Sequence, residues 1–253
     1  MNAIFYFTGT GNSLYIAKKI SEKLKNCELI EIKYNQEYKI NHDIVGIVFP
    51  VHAYGLQPII KNFLKLNEIK ANYKFAIANC AGGPGNTLLD LYNLNKTFNY
   101  IDYILMPENY SILKNPISKE QAIKFMENKK ENLKKIITNI QNRKNYLNLN
   151  KKFIISRLFF KIINKSFIRG LKHSVKFFKV DKTKCTGCSI CSKSCPMNNI
   201  EMVNNLPLWN KNCIQCFRCI NICPEHTISF TPITKNRNQY INPHISPKEL
   251  IPK

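Results

Sequence analysis

The first 145 residues predict an α/β fold, a doubly wound parallel sheet of five strands, followed by a smaller α+β unit. Three observations carry this. Five apolar stretches recur at the spacing of alternating strands and helices, six of the nine glycines gather in three loops, and eight of the ten cysteines fall between Cys185 and Cys223.

The strands are expected at Ala3 to Phe7, Glu28 to Ile32, Ile44 to Phe49, Lys74 to Asn79 and Tyr100 to Leu105. Several are apolar throughout rather than alternating, as in strands buried on both faces. Helices fit between them. Ser13 to Lys25 sets Ile16, Ala17, Ile20 and Leu24 on one face, and Ser118 to Arg143 does so with Ala122, Phe125, Met126, Leu133, Ile136, Ile137 and Ile140.

Ligands of such sheets bind beyond the carboxyl ends of the strands. Gly9, Gly11, Gly55, Gly82, Gly83 and Gly85 all lie in the loops after strands one, three and four, and ordinary turns would not confine them to one edge. The loop TGTGNS is open to three readings. A Walker loop requires a Gly-Lys pair, which the chain lacks. A dinucleotide fingerprint needs a third glycine where Leu14 stands, although Glu31 could serve as its ribose acid. In the third, Thr8, Thr10, Ser13 and the N–H groups of residues 9 to 13 surround one phosphate at a helix N-terminus. No Lys or Arg precedes Lys18, so such a loop would work through dipoles and hydroxyls.

Composition narrows the class. With 253 residues and 44% hydrophobic content, one or two domains can each bury a core. No run of 18 uncharged apolar residues occurs, and Ala3 to Phe7 is too short for a signal-peptide core, so a cytoplasmic protein is expected. The formal net charge of +22 is spread through a chain rich in Lys, Asn and Ile. No nucleic-acid reading module accompanies it, so nucleic acid is not expected as a partner.

The sharpest signal is CTGCSICSKSCP at residues 185 to 196, repeated in form as CIQCFRCINICP at 213 to 224. Both read C-x2-C-x2-C-x3-C-P. Zinc knuckles have no use for the third close cysteine or the proline, and disulfides are disfavoured in a reducing compartment. Soft thiolates at this spacing hold cubane clusters. The repeat resembles that of two-cluster ferredoxins, in which the fourth cysteine of each run serves the other cluster. That implies one metal site at Cys185, Cys188, Cys191 and Cys223, and another at Cys213, Cys216, Cys219 and Cys195. Ile200 to Trp209 and Thr227 to Ile233 are short strand candidates closing this unit.

FTGTGNS, in turn, resembles the FMN phosphate loop of flavodoxins, over residues 1 to about 145. The resemblance implies that Thr8, Gly9, Thr10, Gly11, Asn12 and Ser13 hold the FMN phosphate. It implies further that the loops PVHAYGLQP and NCAGGPGN flank the isoalloxazine, with Pro50, Val51, His52, Ala53, Tyr54, Gly55, Asn79, Cys80, Ala81, Gly82, Gly83 and Gly85 in cofactor contact. Tyr54 is the expected stacking residue and His52 the second. Cys80 reads as a small buried side chain within its loop. Nearly the whole chain resembles fusions of a flavodoxin-like domain with a bacterial dicluster ferredoxin domain, through FTGTGNS, FPVHAYGLQP, MPENY at 106 to 110 and FKVDKTKC.

The expected division is a flavodoxin-like domain at 1–145, a basic helical linker at 146–180, an α+β dicluster ferredoxin domain at 181–232 and a tail at 233–253. From Asn132 to Val180 there are thirteen Lys or Arg and no Asp or Glu. Arg157, Lys161, Lys165, Arg169, Lys172 and Lys176 form a helical stripe beside Leu158, Phe159, Ile162, Ile163 and Phe167. Segment 151–179 could therefore dock an acidic redox protein, lie on an anionic membrane, or serve as a solvated linker. The expected function is an electron relay between FMN and two [4Fe-4S] clusters, with other redox proteins as partners. A flavin-dependent reductase of a small substrate, fed by the clusters, is the alternative. Electron transfer needs no acid or base, so no catalytic residue is expected.

Overall fold

The computed structural model describes residues 1–149 and 154–251. The expected linker and docking segment therefore fall partly outside the described residues, at 150–153, as do tail residues 252 and 253. In chain order the first half comprises β1 (Asn2–Tyr6), α1 (Asn12–Ser21), β2 (Cys27–Glu31), β3 (Ile40–Pro50), α2 (Pro58–Leu66), β4 (Ile69–Cys80), α3 (Thr87–Leu94), β5 (Tyr100–Leu105), α4 (Lys119–Glu127), α5 (Lys130–Gln141) and β6 (Tyr146–Leu147). All six strands pair in parallel in the order β2-β1-β3-β4-β5-β6. The first five follow the flavodoxin-like order, in which the direction of winding reverses between β1 and β3.

Both faces of the sheet are covered, which explains the unalternating strands. Ile59, Ile60 and Phe63 of α2 and Leu88 and Leu91 of α3 pack with Phe5, Val45 and Ile47. On the opposite face Ile16, Ala17 and Ile20 of α1 and Leu133, Ile136 and Ile140 of α5 pack with Ile4, Val48 and Ile77.

Three expectations need correction here. The sheet has a sixth strand rather than five, because Tyr146 and Leu147 add to β5 through Tyr146 N–H to Asn99 O and Asn148 N–H to Ile101 O, both 2.9 Å. Two half-exposed residues carry no apolar run by which to foresee this. The single helix expected at 118–143 is two: Lys129 N–H reaches only three residues back, to Met126 O at 3.0 Å, and the turn tightens into a break. Ser118 and Gln121 form a capping box at the start of the first.

The second half contains α6 (Ile154–Ser174), β7 (Phe178–Val180), α7 (Ile190–Lys193), β8 (Ile200–Val203), β9 (Leu206–Trp209), α8 (Arg218–Ile222) and β10 (Ile228–Phe230). β7 pairs antiparallel with β10, and β8 with β9. The two cysteine runs fold alike. Gly187 and Ser189 have positive φ after Cys185, and Gln215 and Phe217 have it at the equivalent positions after Cys213, each pair leading into a short helix. Phe178, Phe217, Phe230 and Ile220 fill the core beneath them.

The third correction concerns residues 233–253. They are not a free tail, for the described part docks against the first half. Asn242 N–H donates to Thr10 O at 2.8 Å, and Tyr240 Oη donates to Asn12 Oδ1 at 2.7 Å. Ile245 and Leu250 pack with Leu14 and Ile222. No helix among the described residues is long and apolar enough to cross a membrane.

Arg218, wholly buried, links all these parts. It donates to Ser194 O at 2.9 Å and Leu250 O at 3.1 Å, to Thr8 O, and to the Glu31 carboxylate. Burial pulls its pKa down, but Glu31 and the neighbouring Cys216 more than reverse this, so it remains charged. Glu31 is thereby engaged with a cation rather than free as a ribose acid, as the dinucleotide reading required.

Leu250→Ala should lower stability by about 2–4 kcal/mol, the usual cost of emptying a buried leucine site. A urea midpoint unchanged from the parent would mean that the docked segment is not part of the folded core.

Candidate cofactor sites

The carboxyl edge of the sheet meets the second half around a cavity of about 490 Å³. That is within the usual size range of ligand sites. Four segments wall it: Asn12, residues 50–54 after β3, residues 79–83 after β4 and residues 107–110 after β5. Ile163 and Phe167 of α6 and Gln215, Cys216 and Phe217 of the second cysteine run complete it. Of the residues assigned by resemblance, Asn12, Pro50, Val51, His52, Ala53, Tyr54, Asn79, Cys80, Ala81, Gly82 and Gly83 line this space. Thr8, Gly9, Thr10, Gly11, Ser13, Gly55 and Gly85 do not line it; a Cβ on Gly55 would meet the Asn164 side chain and one on Gly85 would meet Tyr54.

The TGTGNS loop is ordered by its own side chains. Thr8 Oγ1 accepts from Gly11 N–H at 3.0 Å, Thr10 Oγ1 from Asn109 Nδ2 at 2.7 Å and Ser13 Oγ from Asn79 Nδ2 at 2.7 Å. Each hydroxyl thus accepts a hydrogen bond and keeps its own hydrogen to donate, which suits an anion. Gly11 has a φ of +96°, which turns the chain into α1. Gly9 is required for a different reason: a Cβ there would lie 2.6 Å from the Cys216 carbonyl oxygen. The loop carries no cation, yet Arg218 supplies one from behind through Thr8 O.

Tyr54 borders the cavity, half-exposed, and one face of its ring stacks on Phe160 of α6, centroids 4.6 Å apart. His52 lies edge-on to Phe167. Burial drives its pKa down to about 4, opposed by a hydrogen bond with the Ile214 backbone, so the imidazole is neutral at pH 7. Burial likewise pushes the Cys80 thiol up to about 12, and it remains protonated.

Sequence reasoning picked out MPENY at 106 to 110 as a motif but did not place it at the site, where it forms the wall after β5. Tyr110 stacks on Phe217 at 5.0 Å and donates to Gln215 Oε1 at 2.6 Å. The rule that ligands lie beyond strand ends applied equally to this fifth loop, but it contains no glycine to draw attention. The expected basic helix splits its apolar residues: Ile163 and Phe167 face the cavity, while Leu158, Phe159 and Ile162 are about 60% exposed.

Two smaller cavities lie within the second half. The outer is lined by Cys185, Cys188, Cys191 and Cys223, and the inner, which shares Cys216 with the larger cavity, by Cys195, Cys213, Cys216 and Cys219. These are the two crossed sets implied by the ferredoxin resemblance. Among the described residues no three His, Cys, Asp or Glu side chains converge on a single-ion site. Four thiolates around a space suit instead a cube presenting one iron to each. Burial raises Cys191 and Cys216 to about 11 and Cys213 to about 12, and holds Cys219 well above the ordinary thiol value. These thiols would become ligands by releasing their protons to solvent as metal binds.

The folded His52 pKa of about 4 lies below its ordinary value of 6.5, so the unfolded chain takes the proton first. Its stabilising contribution is present above pH 6.5 and declines as pH falls towards 4. His52→Gln should therefore lose less stability between pH 7 and 5 in urea unfolding; an acid loss equal to the parent's would remove His52 from this role.

Residues 177–224 match the family model of the 4Fe-4S dicluster domain. An uncharacterized protein of Methanocaldococcus jannaschii is 35% identical over 65 residues, 26% of this chain and 25% of that protein. The ferredoxin-type protein NapH of Haemophilus influenzae is 29% identical over 69 residues, 24% of each. The chain thus spans about a quarter of the length of these curated relatives. Two crystal structures of candidate flavoproteins, from Bacteroides eggerthii and Bacteroides uniformis, overlap 41% and 50% of this chain and 86% and 97% of their own. Identities are 19% and 16% and both TM-scores are 0.34, so the strand order, not these overlaps, establishes the fold. The chain joins a flavodoxin-like α/β sheet to a segment, residues 177–224, that matches the 4Fe-4S dicluster domain.

Proposed function

We propose that the chain holds FMN in the 490 Å³ cavity and a [4Fe-4S] cluster in each four-cysteine cavity, as a relay within one polypeptide. The observation that carries this reading is that Cys216 lines both the larger cavity and the inner cysteine cavity, with its carbonyl pressed against Gly9. When bound, FMN exchanges one or two electrons and each cluster one, so their union converts between pair and single-electron couples.

The residues divide the work. Thr8, Thr10 and Ser13, in the loop that meets the cavity at Asn12, would offer their hydroxyl hydrogens to the phosphate, helped by the N–H groups at the start of α1. Gly82 and Gly83 leave open space, since a Cβ on either would meet nothing within 4 Å. Tyr54 and Tyr110 both line the cavity and offer rings to the isoalloxazine. Cys188, the exposed member of the outer set, marks the side of the molecule open to a redox partner. Lys161, Lys165, Arg169 and Lys172, exposed on α6, give an acidic partner a surface to meet.

Protein purified without oxygen should carry one FMN and about eight irons, as two four-iron clusters require. Cys188→Ala should retain FMN and lose about half the iron, because its side chain lines only the outer cavity. Iron without flavin would sink the relay, and joint loss of flavin and iron in the variant would contradict separate sites. Electron uptake from an acidic protein donor should slow as salt rises; a rate indifferent to salt would remove the basic face of α6 from docking.

A further inference from the structure

The inner cysteine cavity is lined by polar side chains that have not found partners. Among the described residues, seven buried side-chain N or O atoms lack a hydrogen bond, and three of these, Asn199 Nδ2, Trp209 Nε1 and Arg218 Nε, belong to residues lining this cavity. All three are N–H donors. None of the other four, on Gln57, Thr87 and Ser111, belongs to the outer cavity's lining.

Each donor is fixed by what its neighbouring atoms do. Asn199 Oδ1 accepts from Asn212 N–H at 2.6 Å, which sets the amide's orientation and leaves Nδ2 spare. The Trp209 ring is stacked on Phe178 at 4.8 Å, with its indole N–H beside the Cys219 sulfur. Arg218 commits both terminal nitrogens to Ser194, Leu250, Thr8 and Glu31, so Nε alone is left. Asn199 Nδ2 and Arg218 Nε have no acceptor, and the Trp209 N–H has only the Cys219 sulfur beside it; buried donors so placed are costly and call for an acceptor within the space they line.

We propose that Asn199, Trp209 and Arg218 donate hydrogen bonds to the sulfurs of a cluster held by Cys195, Cys213, Cys216 and Cys219, and raise its reduction potential. This rests on the reading that an iron-sulfur cluster occupies the inner cavity. Reduction adds one electron from an external reductant and makes the cluster more negative. Burial opposes that charge, whereas N–H donors and a guanidinium stabilise it. In the outer set the side chain paired with a cysteine is a hydroxyl, Thr227, 3.3 Å from Cys223 Sγ. Glu31 moderates the effect, being paired with Arg218 on the side of the first domain.

The test is a potentiometric titration followed by electron paramagnetic resonance, resolving both clusters in the full chain. Trp209→Phe keeps the ring stack and deletes one N–H, so the inner potential should shift downwards while the outer stays fixed. Glu31→Gln keeps an acceptor for Arg218 but removes the opposing charge, so the inner potential should shift upwards. Opposite shifts confined to one cluster support the proposal. An inner potential unmoved by either variant, equal shifts of both clusters, or loss of inner iron in Trp209→Phe would overturn it. Wild-type protein lacking iron in the inner cavity would instead sink the relay reading, and this inference with it.

Discussion

A guanidinium removed from water must be surrounded by acceptors, and the arrangement of this molecule follows from where Arg218 finds them. It takes one carbonyl from the nucleotide-type loop, one from the first cysteine run, one from the docked C-terminal segment, and a carboxylate from the end of β2. Removing one member of such a buried pair usually costs about 3–5 kcal/mol, because the other charge is stranded. The two halves are therefore held at a fixed separation by electrostatics as well as by packing.

Fixed separation is what makes a shared cavity possible. The flavodoxin-like sheet supplies the floor with the loops after β3, β4 and β5. The second half contributes Gln215, Cys216 and Phe217, and α6 lays Ile163 and Phe167 along one side. Asn164 Nδ2 fastens the helix to the β3 loop at His52 O, 3.2 Å away. A wall built from three elements excludes water only if they keep register. Charge follows the same geometry: the phosphate-type loop has no cation of its own, and receives one from a residue 210 positions later in the chain.

Much of this was legible in the sequence, because some residues leave few options. The spacing of the eight cysteines points to iron-sulfur ligation, and the crossed sets implied by the ferredoxin resemblance line two separate cavities. The parallel sheet was visible because strands buried on both faces must be apolar throughout. What escaped depends on contacts between distant segments. The sixth strand is two residues joined by backbone bonds, to which side-chain pattern is blind. The docking of residues 240–250 relies on hydrogen bonds of Tyr240 and Asn242 to Asn12, 228 and 230 positions earlier, which no local pattern announces. Tyr110 lay in a loop without glycine. Arg218 looked like one of many cations in a basic chain, and only burial sets it apart.

In the relay we propose, the cavity of the sheet and the inner cysteine site form one path inside a single chain. It is tested most directly by photoreducing the flavin-loaded, iron-loaded protein with a short flash and following cluster absorbance over a range of protein concentrations. The account predicts a first-order electron transfer whose rate constant does not depend on concentration. A rate that rises in proportion to protein concentration would mean that electrons pass between molecules, and that the contact of Cys216 with Gly9 is structural only.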